Sequence, residues 1–331
     1  MNNFKRTMDI RILSFWTDSV GKIIISRSVQ LVMRASDEHL EQALKEYNDK
    51  ISALEVNGTD DELLEALVNR STILMLLGSY TASMTDAEEA IELSKGMKDV
   101  DIGTFVKMYE NRGQMIFDDN EEMMVSDYSM IISRLDEIHG EIRHYDWKGL
   151  IMMCQGCAED LIDCDRFEMS VPFTQKALEL MKDASDIWSM NRKMEIQNLI
   201  GQADTGMGLD DNAIDAYSES ILIGEQLYDA SRIEDPIQLV FAYVYRGDIM
   251  EAKHELEKMW NDHESALVIL EELNNRNRLS DPELLIKLHQ SLASSMMESG
   301  EIERAEKHLM RAINLGVPGM KDAIDEMNSM R

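Results

Sequence analysis

Proline, aromatic residues and cysteine are scarce in this sequence. Its 331 residues include four prolines and three cysteines, and aromatic residues make up 6%. Because proline breaks helix interiors, a chain with so few can form long helices. Three cysteines are an odd number without a disulfide framework, so we expect a reducing, cytoplasmic environment.

Long hydrophobic runs are also missing. No apolar run reaches the roughly 18 residues that cross a bilayer. Lys5 and Arg6 begin a basic N-terminus, but Asp9 and Asp18 interrupt the apolar stretch that a secretory signal would need. We therefore expect no membrane segment and no secretory signal.

Positive charge is in short supply. Lys and Arg number 33 against 63 Asp and Glu, which gives a formal net charge of −30. A face that follows nucleic-acid phosphates needs clustered Lys and Arg, so we expect no nucleic acid and no anionic membrane surface as partner. A basic partner would suit this charge, although solvated helix faces alone would also explain it.

What the sequence does contain is a repeated helical hairpin. The abundant Ala, Leu, Met and Glu favour helix, and the stretch LLGSYTASMTDAEEAIEL at 76–93 predicts a turn followed by a second helix. With Gly78 as the turn, equivalent positions recur at steps of 42 to 46 residues. These positions are Asn120, Asp165, Gly208, His254 and Gly300.

Small residues accompany every turn. Helices that pack about 8–10 Å apart tolerate only small side chains at their closest contact. Seven residues before the turns lie Ser71, Gly113, Ala158, Gly201, Gly247 and Ala293. Twelve residues after the turns lie Ala90, Ile132, Ala177, Ser220, Ala266 and Ala312, of which five are small.

The stretch SLASSMMESGEIERAEKHLMRAINLGVP at 291–318 resembles a tetratricopeptide repeat (TPR). Leu292, Ala293, Gly300, Ala305, Leu309, Ala312 and Pro318 occupy the signature positions of that family. The resemblance covers about residues 37–318, with extended repeats of about 42–46 residues instead of the usual 34. It implies an all-α fold, a right-handed α-solenoid of antiparallel helix pairs in a TPR-like superhelix.

The resemblance also suggests a domain organisation. Residues 37–331 form the solenoid, with about six helix pairs, a leading helix at 37–56 and a C-terminal capping helix at 319–330. Asp-Pro pairs at 235–236 and 281–282 predict two helix starts. Pro172 predicts a late start for the helix that contains it.

The N-terminal segment, residues 1–36, has a different composition. Through Arg34 it is basic and β-branched, with six Lys or Arg against two Asp, a charge of +4. Three interpretations stay open: a docking segment that folds against the acidic solenoid, a disordered arm, or a native chain that starts at Met33. The helix start that follows Met33 directly favours the third.

Cysteine and histidine patterns do not predict catalysis. Cys154, Cys157 and Cys164 lie in CQGCAEDLIDC, but no second CxxC or His pair follows, so we interpret them as core residues. The seven histidines form no HExxH motif, and the GMG at 206–208 fits a hairpin turn better than a phosphate loop. We expect no enzyme, no cofactor and no metal.

First helices line the concave face of a TPR solenoid, which implies a binding groove. Only Lys107 and Lys287 are basic there, so a clamp for a terminal carboxylate is missing. The inward positions are acidic or amide-rich: Glu65, Asn69, Thr72, Glu110, Gln114, Asp118, Gln155, Glu159, Asp163, Asn198, Gln202, Asp248, Glu251, Gln290, Ser294 and Glu298.

These groups can accept hydrogen bonds from Lys, Arg and backbone amides. We therefore expect a non-enzymatic scaffold or adaptor that binds a protein or peptide partner, with a basic one favoured. One alternative is a peptide-responsive regulator whose solenoid changes curvature on binding. Another is self-association into a homo-oligomer through an exposed end repeat.

Overall fold

The computed structural model describes residues 37–116, 120–138, 145–279 and 282–315, which form thirteen α-helices and a 3₁₀ turn at Leu135–Glu137. They divide into two compact units, one through Asp183 and one from Ala184. Unit 1 contains α1 (Asp37–Asn57), α2 (Asp60–Leu76), α3 (Tyr80–Ser94), α4 (Ile102–Ile116), α5 (Glu121–Arg134), α6 (Trp147–Asp163) and α7 (Phe167–Leu180). Unit 2 contains α8 (Ile187–Gly206), α9 (Asp210–Asp229), α10 (Pro236–Ala252), α11 (Leu256–Asn275), α12 (Glu283–Glu298) and α13 (Ile302–Asn314).

Consecutive helices pack as antiparallel pairs. Unit 1 has α1 followed by three hairpins, α2/α3, α4/α5 and α6/α7, and unit 2 has three more, α8/α9, α10/α11 and α12/α13. The predicted all-α class and helix pairs are thus confirmed. Residues 1–36, 118, 139, 144, 281 and 319–330 lie outside the described residues, so the predicted domain bounds stay a prediction. None of the described helices has the length and apolarity that crossing a membrane requires.

Five of the six predicted turn positions have a left-handed backbone. Their φ values are 73° at Gly78, 57° at Asp165, 72° at Gly208, 61° at His254 and 82° at Gly300. In each case the next amide donates to a carbonyl five residues back, at 2.8 Å, which closes the end of the first helix. This conformation costs a residue with a Cβ about 1–2 kcal/mol, which explains the glycines.

Asn120 is the exception. Its φ is −155°, outside the left-handed region, and its side-chain oxygen accepts from the Met123 amide at 3.1 Å, so it caps α5. Asn120 therefore lies between α4 and α5, as predicted, but it is not equivalent to the left-handed residues of the other five turns. On α5 the register is shifted by one, because Ile131 is fully buried while the predicted Ile132 is only half-buried.

The small residues before the turns lie where the two helices approach most closely. In the first hairpin the Ser71 hydroxyl donates to the Ser83 carbonyl at 3.0 Å. In three other hairpins the backbone of the first helix touches a ring of the second. A Cβ atom would lie 2.4 Å from the ring at Gly113 against Tyr128, 2.6 Å at Gly201 against Tyr217, and 2.5 Å at Gly247 against His263.

Three hairpins also contain a bidentate Arg–Asp pair that the sequence analysis missed. The arginine lies eight residues before the predicted turn position, and the aspartate follows it by 15 or 16 residues. Both guanidinium bonds are 2.6–2.8 Å long. The pairs are Arg70–Asp86, Arg112–Asp127 and Arg246–Asp262.

Of the helix starts predicted from Pro236 and Pro172, the structure confirms the first and contradicts the second. Pro236 is the first residue of α10, and the Asp235 side chain accepts from the Ile237 amide at 3.0 Å, as predicted. Pro172 lies inside α7, which already begins at Phe167, so the predicted late start is wrong. As the sixth residue of α7, Pro172 has no N–H to donate to the Glu168 carbonyl, so the helix lacks one backbone hydrogen bond there.

Candidate functional site

Unit 1 brings several predicted groove residues together. Glu110 and Gln114 lie on one side of α4. The hydroxyl of Tyr145, which lies just before α6, donates a hydrogen bond to Glu110 and so joins this part of α4 to the start of α6. We use the name "acidic face" for Glu110, Gln114, Gln155, Glu159, Asp160 and Asp163.

The α6 part of the acidic face is a stripe of residues four apart. Gln155, Glu159 and Asp163 therefore lie on one side of the helix. The Gln155 side-chain amide donates to the Glu159 carboxylate at 2.9 Å. Gln155 is buried, Glu159 is half-buried and Asp163 is exposed, so the stripe leads from the interior to solvent.

Glu110 is the centre of a buried network. Its carboxylate lies 2.9 Å from the Lys107 ammonium, accepts from the Tyr145 hydroxyl, and accepts from the Gln114 amide at 3.3 Å. Burial lowers the pKa of Lys107 to about 8, although Glu110 opposes this shift. Both oxygens of Glu110 are thus already engaged, and Glu110 is 3% exposed.

Gln114 leaves one strong acceptor unused. The residue is 8% exposed, and among the described residues no group donates to its Oε1. The amide orientation follows from its neighbour, because the NH₂ group must face the Glu110 carboxylate. The carbonyl oxygen therefore lies within a few ångströms of Glu110, and a buried acceptor of this kind needs a donor.

Asp160 shows that negative charge is concentrated here. Its carboxylate accepts from the Tyr128 hydroxyl at 2.5 Å. Burial is the main cause that raises the pKa of Asp160 to about 7; the Tyr128 hydrogen bond opposes this shift, and the nearby Glu159, Asp163 and Glu110 contribute to it. Within the part of the chain that the structure describes, no Lys or Arg pairs with Asp160 or Asp163.

The predicted groove residues on α2 have a different environment. Asn69 and Thr72 are buried. The Asn69 side chain donates to the Glu65 carbonyl at 2.8 Å, and the Thr72 hydroxyl accepts from Asn111 of α4 at 3.0 Å. Thr72 therefore helps to join α2 to α4.

In unit 2 the predicted residues are spread over three first helices. Asn198 is buried and donates to the Gln238 carbonyl at 2.8 Å, which joins α8 to α10. The Asp248 carboxylate lies 3.3 Å from His263. Gln202 and Gln290 are half-buried, whereas Asp248, Glu251, Ser294 and Glu298 are exposed.

Two of the three cysteines are core residues, as predicted, whereas Cys164, at the end of α6, is half-buried. Cys154 and Cys157 are fully buried on α6, and the Cys157 thiol lies 3.9 Å from the Met153 sulfur. Burial raises the pKa of the Cys157 thiol well above its ordinary value. Within the described ranges, no three potential metal ligands lie close enough together to hold an ion.

Sequence analysis missed Tyr128, Tyr145 and Asp160. Each completes a contact between residues 32 to 35 positions apart, and no local pattern predicts such a partner. It also missed a pair in unit 2, where His289 and His308 face each other with their Nδ1 atoms 3.0 Å apart. In each case the two partners come from different parts of the chain and meet only when the helices pack.

This chain is similar to known proteins in structure but not detectably in sequence. No family model matches the sequence, and no curated protein is similar to it. A signal-transduction ATPase with a tetratricopeptide repeat sensor, from Pyrococcus horikoshii, is 14% identical with a TM-score of 0.58. That match covers 93% of this chain and 43% of the ATPase.

Two further structures match over most of both chains. The C-terminal part of a TPR repeat-containing protein from Cytophaga hutchinsonii is 12% identical, with a TM-score of 0.53, over 88% of this chain and 98% of that one. Aspartyl phosphate phosphatase F from Bacillus subtilis is 14% identical, with a TM-score of 0.52, over 94% and 79%. Likenesses at this identity show the fold alone: the chain has the fold of tetratricopeptide repeat proteins.

Proposed function

We propose that this protein is a binding scaffold that holds a basic peptide or protein segment on the acidic face of unit 1. The observation that carries this proposal is the concentration of carboxylates around Asp160. Asp160 and Asp163 lie on α6 beside Glu159, and no Lys or Arg among the described residues forms an ion pair with Asp160 or Asp163.

The chemistry of the face suits a basic ligand. Glu159 and Asp163 offer carboxylate oxygens close to solvent. Lys and Arg side chains donate charge-assisted hydrogen bonds to such oxygens, and an extended backbone adds amide donors. Negative potential also speeds the approach of a basic partner at low salt.

An anionic ligand suits this face poorly. Lys107, the only basic residue predicted on this side of unit 1, is 1% exposed and its ammonium lies 2.9 Å from Glu110. Releasing it toward a ligand would leave Glu110 buried without its cation, at a cost of several kcal/mol. This supports the expectation that a terminal-carboxylate clamp is missing.

A non-enzymatic role is part of the proposal. One similar structure is named as a phosphatase, so the fold by itself decides nothing about catalysis. Support comes from the nucleophile candidates near the face: Cys154 and Cys157 are buried, and burial raises the pKa of both thiols. A buried thiol of high pKa is a poor nucleophile.

A direct test compares two double variants by fluorescence anisotropy. The probe is a labelled peptide of alternating arginine and serine, at about 50 mM and 300 mM salt. Glu159→Gln with Asp163→Asn should weaken binding about tenfold at low salt, because exposed ion pairs contribute up to about 1 kcal/mol each. The matched control, Glu88→Gln with Glu89→Gln, removes two exposed charges from α3 of the same unit.

The control should leave affinity nearly unchanged, and binding by the parent chain should weaken at high salt. Equal losses in both double variants would mean that only overall charge matters. Tighter binding of a peptide with glutamate in place of arginine would contradict the proposal outright.

The second candidate is a peptide-responsive regulator. The observation that favours it is the similarity to the ATPase with a tetratricopeptide repeat sensor. Such a role requires the relative arrangement of helices to change on binding. Small-angle scattering with and without saturating basic peptide tests this, and identical profiles would leave only the scaffold role.

A further inference from the structure

We propose that the N-terminal segment of this chain, residues 1–34, docks on the acidic face of unit 1 and competes there with an outside basic partner. This inference rests on the proposed function, since it assigns the same face a second ligand. It commits to a cis arrangement, in which each chain occupies its own face.

Charge complementarity is the first argument. The segment contains Lys5, Arg6, Arg11, Lys22, Arg27 and Arg34 against two aspartates, a charge of +4. The rest of the chain carries −34. On the acidic face two carboxylates, Asp160 and Asp163, have no Lys or Arg partner among the described residues.

The buried amide of Gln114 is the second and independent argument. Its Oε1 has no donor within the described part of the chain, although the residue is 8% exposed. A cluster of carboxylates alone would be satisfied by water and counterions. A buried neutral acceptor beside Glu110 instead needs an N–H group that reaches into the face, which a Lys, an Arg or a backbone amide provides.

Reach is the third argument. The segment leads directly into α1, which begins at Asp37 and packs against α2. From α1, three helix-to-helix steps of about 10 Å each lead through α2 and α4 to α6, so the face is about 30 Å away. A chain of 34 residues spans up to about 110 Å when extended, so it can reach the face with slack.

Tethering makes even a weak contact effective. A ligand attached to its own site has an effective concentration on the order of a millimolar. A segment whose own dissociation constant is about 100 µM would then weaken an outside peptide about tenfold. The segment would thus set a threshold that a partner must exceed.

The test compares the full chain with a chain that begins at Met33. Two labelled probes are used: the alternating arginine–serine peptide, and a synthetic peptide of residues 1–34. We expect the Met33 chain to bind the 1–34 peptide one to one, and the full chain to bind both probes about tenfold more weakly. Glu159→Gln with Asp163→Asn should abolish this difference between the chains.

A sequence control and a folding control keep the result interpretable. A shuffled 1–34 peptide of the same composition should bind at least severalfold more weakly than the native order. Where the Met33 chain does not fold, a full chain with the six basic residues replaced by glutamine takes its place. That variant should bind the arginine–serine peptide about tenfold more tightly than the parent full chain.

The outcomes separate the two proposals. If both chains bind the arginine–serine peptide equally well, the docking inference is wrong and the proposed function stands. If neither binds a basic probe, even with the segment neutralised, the proposed function itself fails. If the difference disappears on dilution and the full chain sediments as a dimer, the segment binds a second copy and the cis arrangement is contradicted.

Discussion

Units 1 and 2 are built from the same kind of helical hairpin, but particular buried charged groups in the two units have different partners. In unit 2, the buried Arg192 contacts Glu195 at 2.7 Å and Glu234 at 2.6 Å, so positive charge is matched by two carboxylates. In unit 1, Lys107 and Asp160 both have pKa values shifted toward their neutral forms. Unit 1 also pairs buried charge, through Arg112–Asp127 and Lys107–Glu110, but its Asp160 has no Lys or Arg partner among the described residues. We propose that this unmatched carboxylate marks the side of unit 1 that receives a ligand.

The largest expected effect concerns a feature that the units share. Arg112→Met in unit 1 and Arg246→Met in unit 2 should each lower the free energy of unfolding by about 3 kcal/mol, because each leaves a buried aspartate unpaired. Urea unfolding measures the loss. Adding Asp127→Leu to Arg112→Met should recover most of it, and a single-variant loss below about 1 kcal/mol would show that the pairs matter little.

The close helix contacts should give the next largest effect. Gly113→Ala places a Cβ 2.4 Å from the Tyr128 ring, which its bond to Asp160 holds in position. We expect a loss of about 2 kcal/mol from overpacking. The matched control is Gly156→Ala on α6, where nothing lies within 4 Å, and it should gain up to about 1 kcal/mol. Equal effects in thermal unfolding would contradict the close-contact account.

Lowering the pH should change the stability of the two units in opposite directions. The protonated Asp160 stabilises unit 1 fully below its unfolded pKa of 3.8, and this contribution is lost as pH rises through about 7. Burial lowers the pKa of His289 from 6.5 to about 4, so its contribution in unit 2 is present above 6.5 and lost as pH falls through 4. From pH 7.5 to pH 5, unit 1 should therefore gain and unit 2 lose stability.

Hydrogen exchange, corrected for intrinsic rates, can follow α6 and α12 separately. We expect the free energy of opening to rise in α6 and to fall in α12, by about 1 kcal/mol each. For α6 this is less than the full pKa shift would give, because Asp160 is half-buried and solvent screens its charge. Asp160→Asn should remove the pH response of α6 and leave that of α12. Parallel changes in both helices would show that the two buried charges are not decisive.

The smallest expected effect is again common to both units. Asp165 in unit 1 and His254 in unit 2 have φ values of 57° and 61°, which a side chain disfavours. Replacing either by glycine should raise the free energy of unfolding by about 0.5 kcal/mol, after the extra entropy of glycine in the unfolded chain. The reverse change, Gly208→Ala, should destabilise in the same chemical denaturation assay.

The fold was predictable because its determinants are local and steric. A left-handed turn recurs in five of the six hairpins, three times at a glycine, Gly78, Gly208 and Gly300, and a small residue precedes each predicted turn position. The site was less predictable. Register placed Glu110 on an inward face, but it cannot show that Lys107 and Tyr145 engage Glu110 there. That network depends on packing between hairpins, which a repeat pattern does not contain.

The most direct measurement is photo-crosslinking of the basic peptide, with benzophenone at its centre, to the full-length chain. The crosslinked residues are then identified by mass spectrometry. Our account predicts crosslinks on α4 and α6 of unit 1, around Gln114, Glu159 and Asp163, which an excess of unlabelled 1–34 peptide removes. Crosslinks concentrated on the first helices of unit 2, or spread evenly over both units, would contradict it.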